Sequence, residues 1–124
     1  MVEIGQHASV EVVVTDEDTA IALGSGDVPV LGTPRVVALV EAAAVAAIAD
    51  EMDDASTSVG TEIDLRHIAP SPVGSVVVAS ATVVGREGRS VRFRVEVRQD
   101  GAVVAAGGHT RVVVDRRRFL DRLG

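Results

Sequence analysis

Residues 33–50 read TPRVVALVEAAAVAAIAD, and the reading of this stretch decides the fold. Thr33 suits a helix N-cap, and Pro34 then falls at the first helical position, where proline is tolerated. A helix of this length would span roughly 27 Å. Apart from Glu41, positions 36–49 present Val, Ala, Leu or Ile on every side. That pattern predicts a helix buried at the centre of the fold rather than laid on a surface. Glu41 is the exception. Its neighbours three and four residues away are Val37, Ala38, Ala44 and Val45, so no cation on the helix can pair with it. A buried carboxylate without a partner is strongly unfavourable. Glu41 must therefore protonate, find a partner elsewhere in the fold, or lie at an edge that reaches water.

The flanking sequence alternates like strands. Residues 8–15 (ASVEVVVT) are rich in β-branched side chains and predict a first strand, ended by a solvated turn at Asp16, Glu17 and Asp18. Residues 24–32 (GSGDVPVLG) hold three glycines and a proline and predict an irregular loop that delivers the chain to the helix. After the helix, residues 59–67 alternate. Val59, Thr61, Ile63, Leu65 and His67 are expected on one face, and Gly60, Glu62, Asp64 and Arg66 on the other. Further strands are expected at 75–84, 91–97 and 102–114, the last broken near Gly107–Gly108. Asp100–Gly101 is a strong hairpin signal. Asp115 can cap a short C-terminal helix, RRRFLDRL. Strands joined by tight turns are antiparallel neighbours, so the chain predicts one α+β domain over 1–124: an antiparallel sheet wrapped around one long helix. Open strand edges predict at least a dimer, with a tetramer left open.

Composition narrows the function. The chain has 124 residues, 47% hydrophobic and 2% aromatic, so the core is built from small aliphatic side chains. A net charge of −6 and the absence of Trp and Tyr disfavour a nucleic-acid partner. With no cysteine there is neither a thiolate metal site nor a cysteine nucleophile, and the three scattered histidines lack metal-ligand spacing. No metal or resident cofactor is expected. The first ten residues lack a basic region followed by an apolar run, and the charged end of the helix makes it a poor membrane span. The expected setting is cytoplasmic.

Three polar residues stand against the apolar pattern: Thr33 at the helix start, Glu41 inside it, and His67 on the apolar face of a strand. A carboxylate near a histidine is a candidate acid, base or nucleophile. Each residue also has a plain structural reading, as cap, edge carboxylate or strand end. Thr33 and Glu41 lie eight residues apart, roughly 12 Å along one helix, and cannot hydrogen-bond directly. Either His67 bridges them or the site draws residues from two protomers. His109 follows two glycines that let a backbone approach closely, and Arg111 shares its strand face.

Taken together, Thr33-Pro34, Glu41, Val59-Gly60-Thr61, His67, Ala69-Pro70-x-Pro72-x-Gly74, Gly108-His109-x-Arg111 and Arg118-Phe119 resemble the fluoroacetyl-CoA-specific thioesterase family of hot dog fold proteins. The similarity runs from about residue 30 to the end. The resemblance implies a homodimer of hot dog subunits, each a curved antiparallel sheet around a central helix. It implies hydrolysis of an acyl-CoA thioester, coenzyme A being part of the substrate, with Thr33, Glu41 and His67 as the catalytic group. It further implies that Gly60 offers a backbone N–H to the thioester carbonyl, and it places Arg111, with His109 beside it, near the acyl pocket. The fluoroacetyl-specific member carries a phenylalanine-bearing lid ahead of the helix. Here residues 24–32 have no aromatic side chain, which points to a short or medium acyl group instead. A non-catalytic dimer that binds acyl-CoA or a small apolar ligand is the alternative on the same scaffold.

Overall fold

A computed structural model describes residues 1–124. Five strands form one antiparallel sheet: β1 (His7–Val13), β2 (Ser56–His67), β3 (Val76–Glu87), β4 (Ser90–Gln99) and β5 (Ala102–Asp115), in the spatial order β1-β3-β4-β5-β2. A short helix α1 (Ala20–Leu23) precedes the long helix α2 (Thr33–Ala47), and α3 (Arg116–Asp121) closes the chain. This is the hot dog arrangement, a sheet wrapped around one helix. No helix is long and apolar enough to cross a membrane.

The core forms where two periodicities meet. On α2, Val36, Leu39, Val40, Ala43, Ala44 and Ala47 are buried, a stripe at helical spacing. On the sheet, alternate residues face them: Val77, Ala79, Ala81 and Val83 of β3, and Val91, Phe93, Val95 and Val97 of β4. Phe93 is the only large aromatic side chain in this layer; the rest are small enough to let the helix approach the strands.

Several expectations change in detail. Gly32, not Thr33, is the N-cap; Thr33 starts the helix, and its hydroxyl is engaged elsewhere. A side chain on Gly32 would press on Ala20 and Leu23, so close packing of α1 dictates the residue at the cap. The helix ends at Ala47, and Ala49–Glu51 tighten into a 3-10 turn. Nor is α2 buried all round. Ala38, Ala42, Val45 and Ala46 are exposed, because a single sheet covers only one side of a helix. The acidic turn is a 3-10 helix, Asp16–Asp18, and it is not merely solvated. The Asp18 carboxylate accepts hydrogen bonds from the Thr15 backbone N–H and hydroxyl and pairs with Arg35 at 2.9 Å. Burial works to raise its pKa, but Thr15 and Arg35 outweigh that and hold the carboxyl below its ordinary value. The pair ties the segment before the loop to the first turn of α2.

In β2 the alternation changes phase. A bulge between Gly60 and Glu62 places Gly60 opposite Arg111 and Ile63 opposite His109. Directly paired residues share a sheet face. Ser58, Gly60, Ile63, Leu65 and His67 therefore face inward with Arg111, His109 and Ala105, while Val59 faces out with Val112. A simple period of two placed Gly60 outside; the extra residue at Thr61 reverses it. Strand β5 is unbroken at Gly107–Gly108. A side chain on Gly107 would strike the backbone of Asp64 and Leu65, so this glycine lets β2 and β5 pair closely. The Asp100–Gly101 turn has positive φ at both residues (52° and 79°), as a two-residue hairpin of this kind requires.

Candidate active site

The inward face of β2 and β5 gives Glu41 the cation its helix lacks. Arg111 is buried and held from two sides: Nε donates to the Ser58 hydroxyl at 2.9 Å and Nη2 to the Ser58 carbonyl at 3.0 Å. Its remaining nitrogen, Nη1, donates to Glu41 Oε2 at 3.0 Å. The same nitrogen lies 3.2 Å from His109 Nε2. A guanidinium has only donors, so Nε2 must be the accepting nitrogen of the ring. The proton is then on Nδ1, which donates to the Glu62 carbonyl at 2.8 Å. His109 is thus a neutral, oriented imidazole, stacked on Phe93 with ring centroids 5.9 Å apart. Glu41 keeps Oε1 without a hydrogen bond, and its side chain is 39% exposed. Of the three outcomes open to this carboxylate, it takes two: a partner from another element and an edge that reaches water.

Gly60 makes the room. A Cβ there would collide with Glu41 Oε2 and would come within 3.2 Å of His109 Cε1 and 3.3 Å of Arg111 Nη1. The carboxylate, imidazole and guanidinium close over the one inward position of β2 that has no side chain. Val37, Glu41, Gly60, Thr61, Ile63 and His109 help to line a cleft of about 270 Å³ at this point.

The other two candidates form a separate pair. Thr33 Oγ1 and His67 Nδ1 are 2.8 Å apart. Burial pushes the His67 imidazole below its ordinary value of 6.5, and the nearby Ala69 backbone opposes the shift. His67 Nε2 is buried with no partner at hydrogen-bond geometry. Most buried polar atoms are satisfied, so an orphan beside a cleft is available to a group brought to it. That cleft, about 340 Å³, lies under residues of the 24–32 loop, including Gly26, Asp27 and Val28, and against Ile68–Pro70. The loop is anchored at its end: Leu31 N–H donates to the Ser71 carbonyl, and Val30 bridges to Pro72.

Within one chain no hydrogen bond joins the Thr33–His67 pair to the Glu41–Arg111–His109 group. His67 does not bridge Thr33 to Glu41. Sequence reasoning missed Ser58, the residue that fixes Arg111; its signal was the Ser58-x-Gly60 spacing on one strand face, hidden by the bulge. No three His, Cys, Asp or Glu side chains are grouped to hold a metal ion.

A sheet curved around one helix, with a carboxylate, a buried arginine and two oriented histidines along its helix-facing side, defines a hot dog protein of the thioesterase type. The chain belongs to the fluoroacetyl-CoA-specific thioesterase family, whose model matches residues 14–117. A fluoroacetyl-CoA thioesterase from Streptantibioticus cattleyicolor is 32% identical over 90 residues, 73% of this chain. That match spans 65% of the relative, just under two thirds of its length. Among solved structures, a variant of the fluoroacetyl-CoA thioesterase FlK in complex with acetyl-CoA superposes with a TM-score of 0.92 at 26% identity, covering 98% of this chain and 96% of the other. A Thermus thermophilus protein described as a thioesterase superfamily member gives 0.91 at 25% identity, covering 99% and 91%.

Proposed function

We propose that the protein is an acyl-CoA thioesterase acting on a short or medium acyl group, with Thr33, Glu41 and His67 as its catalytic group at a homodimer interface. The observation that carries this reading is the Glu41 carboxylate, seated by buried Arg111 over Gly60 and left with a free oxygen at a cleft. Family membership and the acetyl-CoA bound to a close structural neighbour support the substrate class. Hydrolysis forms a bond from oxygen to the acyl carbon and breaks the C–S bond. The released CoA thiolate takes up a proton. Glu41 supplies the oxygen, either its own, through a mixed anhydride that water then cleaves to free the acid and restore the carboxylate, or that of a water it deprotonates. The Gly60 N–H faces the carbonyl oxygen as charge develops there. Thr33 and His67 act as a hydrogen-bonded unit on the thioester, and neutral His67 is ready to exchange a proton.

The separation of the Thr33–His67 pair from the Glu41–Arg111–His109 group within one chain supports a site shared by two protomers. The exposed apolar strip of α2 and the open edge of β2 suit a second copy related by a two-fold axis. Such a copy brings the Thr33–His67 pair of one chain toward the Glu41 group of the other. The 24–32 loop, which carries no aromatic residue, then borders the acyl end without the bulk needed to single out a fluoroacetyl group. A panel of acyl-CoAs assayed by free-thiol release tests the reading, with Glu41→Gln as control. Turnover that falls at least about 100-fold in the variant is expected. Ligand-dependent thermal stabilisation with no turnover on any acyl-CoA would favour the binding-protein alternative.

A further inference from the structure

A guanidinium carries five N–H donors, one on Nε and two on each Nη, and accepts nothing. Four of those on Arg111 have partners inside the chain. Ser58 takes two: its hydroxyl accepts from Nε and its carbonyl from Nη2. The two on Nη1 are divided, one to Glu41 Oε2 at 3.0 Å and the other to His109 Nε2 at 3.2 Å. Arginine and a carboxylate frequently pair through two parallel hydrogen bonds, which tie down both carboxylate oxygens. Here Nη1 alone of the three nitrogens bonds to Glu41, and His109 occupies its second proton. Glu41 is therefore held by one oxygen, and Oε1 stays unbonded.

His109 is built for that task and has nothing left over for another. Its Nδ1–H donates to the Glu62 carbonyl at 2.8 Å, and its ring stacks on Phe93. Both nitrogens are engaged within the protein, and the side chain is only 2% exposed. The ring offers no nitrogen to the cleft, so it reaches a substrate only through Arg111 and Glu41. Without an acceptor at Nε2, the second Nη1 proton would be buried without a partner, which is unfavourable. The acceptor at hand is Glu41, whose Oε2 already lies 3.9 Å from Nε2. The carboxylate would turn its second oxygen onto Nη1. We propose that His109 is a positioning residue: by accepting from Arg111 it keeps one oxygen of Glu41 unbonded at the cleft. The inference rests on the reading in which Glu41 supplies the reacting oxygen, and it assigns His109 to Arg111 instead of to the acyl group.

Two substitutions separate the acceptor from the ring. H109F keeps an aromatic ring against Phe93 and has no acceptor. H109Q loses the ring but places an amide oxygen about where Nε2 lies. Free-thiol release from an acyl-CoA gives kcat and KM, and thermal melts report folding on the same preparations. In H109F kcat should fall at least about tenfold with KM little changed, the pattern of an interaction made only in the transition state. H109Q should recover most of that loss in kcat although it lacks the stack. A KM that rises while kcat holds would make His109 a substrate contact and overturn the proposal. An H109Q enzyme as slow as H109F would also overturn it, because the ring and not the acceptor would then matter. If H109F does not fold, H109N takes its place with the same expectation: its amide can donate to the Glu62 carbonyl but stops short of Arg111. If wild type turns over no acyl-CoA, the thioesterase reading fails separately, and crystal structures of wild type and H109F decide the geometry. Both Glu41 oxygens on Arg111 in the variant, against one in wild type, would support the proposal; an unbonded Oε1 in the variant would overturn it.

Discussion

Replacing Gly60 by alanine should separate activity from stability. The added methyl cannot coexist with the Glu41 carboxylate where it now lies, and it crowds the His109 ring and the Arg111 guanidinium at 3.2 and 3.3 Å. Arg111 is clamped by Ser58, and His109 is fixed by Glu62 and Phe93, so neither yields easily. Glu41 yields, because it is the flexible end of an edge side chain. The stability lost is then little more than its ion pair with Arg111. With Glu41 39% exposed, that pair is screened by water and contributes about 0.2–1 kcal/mol. The melting temperature should fall by about 4 °C or less. Activity responds differently. An ångström-scale displacement of a reacting group costs about 100-fold, or about 2.7 kcal/mol of barrier. Thermal melts and free-thiol release on one preparation read both quantities. A Gly60→Ala enzyme with wild-type kcat/KM would refute the placement of Glu41 in the reaction. A large loss of melting temperature would instead make Gly60 a position the fold needs.

Other perturbations probe the neighbouring groups. Ser58→Ala removes one clamp on Arg111, exposes no new charge, and should lower kcat/KM by up to about tenfold with a stability loss of about 1 kcal/mol, checked by chemical denaturation. Because burial lowers the His67 pKa, the unfolded chain binds more protons than the folded one between the depressed value and 6.5. Stability therefore falls as pH drops through that window; His67→Gln should flatten this slope in denaturation curves taken across it. For a step that needs neutral His67, the acid limb of the kcat/KM profile should also lie below 6.5. Asp18 has the same sign of linkage in a more acidic window: its depressed carboxyl stabilises the fold above 3.8, and that contribution is lost as pH falls through the folded pKa. Asp18→Asn should remove this part of the acid dependence and increase hydrogen exchange in residues 16–32.

The general plan was legible because it rests on period and punctuation. An apolar segment opened by Pro34, alternating strands, and the Asp100–Gly101 turn suffice to predict a sheet around a helix. Details that depend on contact between distant residues were not legible. The phase of β2 turns on one bulge residue, Thr61, and a bulge leaves no mark on hydrophobic alternation. For the same reason Gly60 was placed outside when it lies under Glu41. Thr33 reads as a cap by residue type, but His67, 34 positions away, engages its hydroxyl. Asp18 reads as a solvated turn residue until Arg35 is brought beside it by the packing of α1 on Gly32. The candidate site was visible residue by residue, since polar groups in apolar patterns stand out. Its division into two hydrogen-bonded groups was not, because it is set by the curvature of the sheet.

That division makes the second subunit the central claim. The most direct measurement mixes two inactive chains, Thr33→Ala and Glu41→Ala, refolds them together, and follows free-thiol release from an acyl-CoA. If each site combines Thr33 of one protomer with Glu41 of the other, a mixed dimer has one intact site and one doubly altered site. Random pairing across a two-fold then restores roughly one quarter of wild-type activity. A mixture that stays at the sum of the two parent variants, although mixed dimers have formed, would contradict a site built from two protomers.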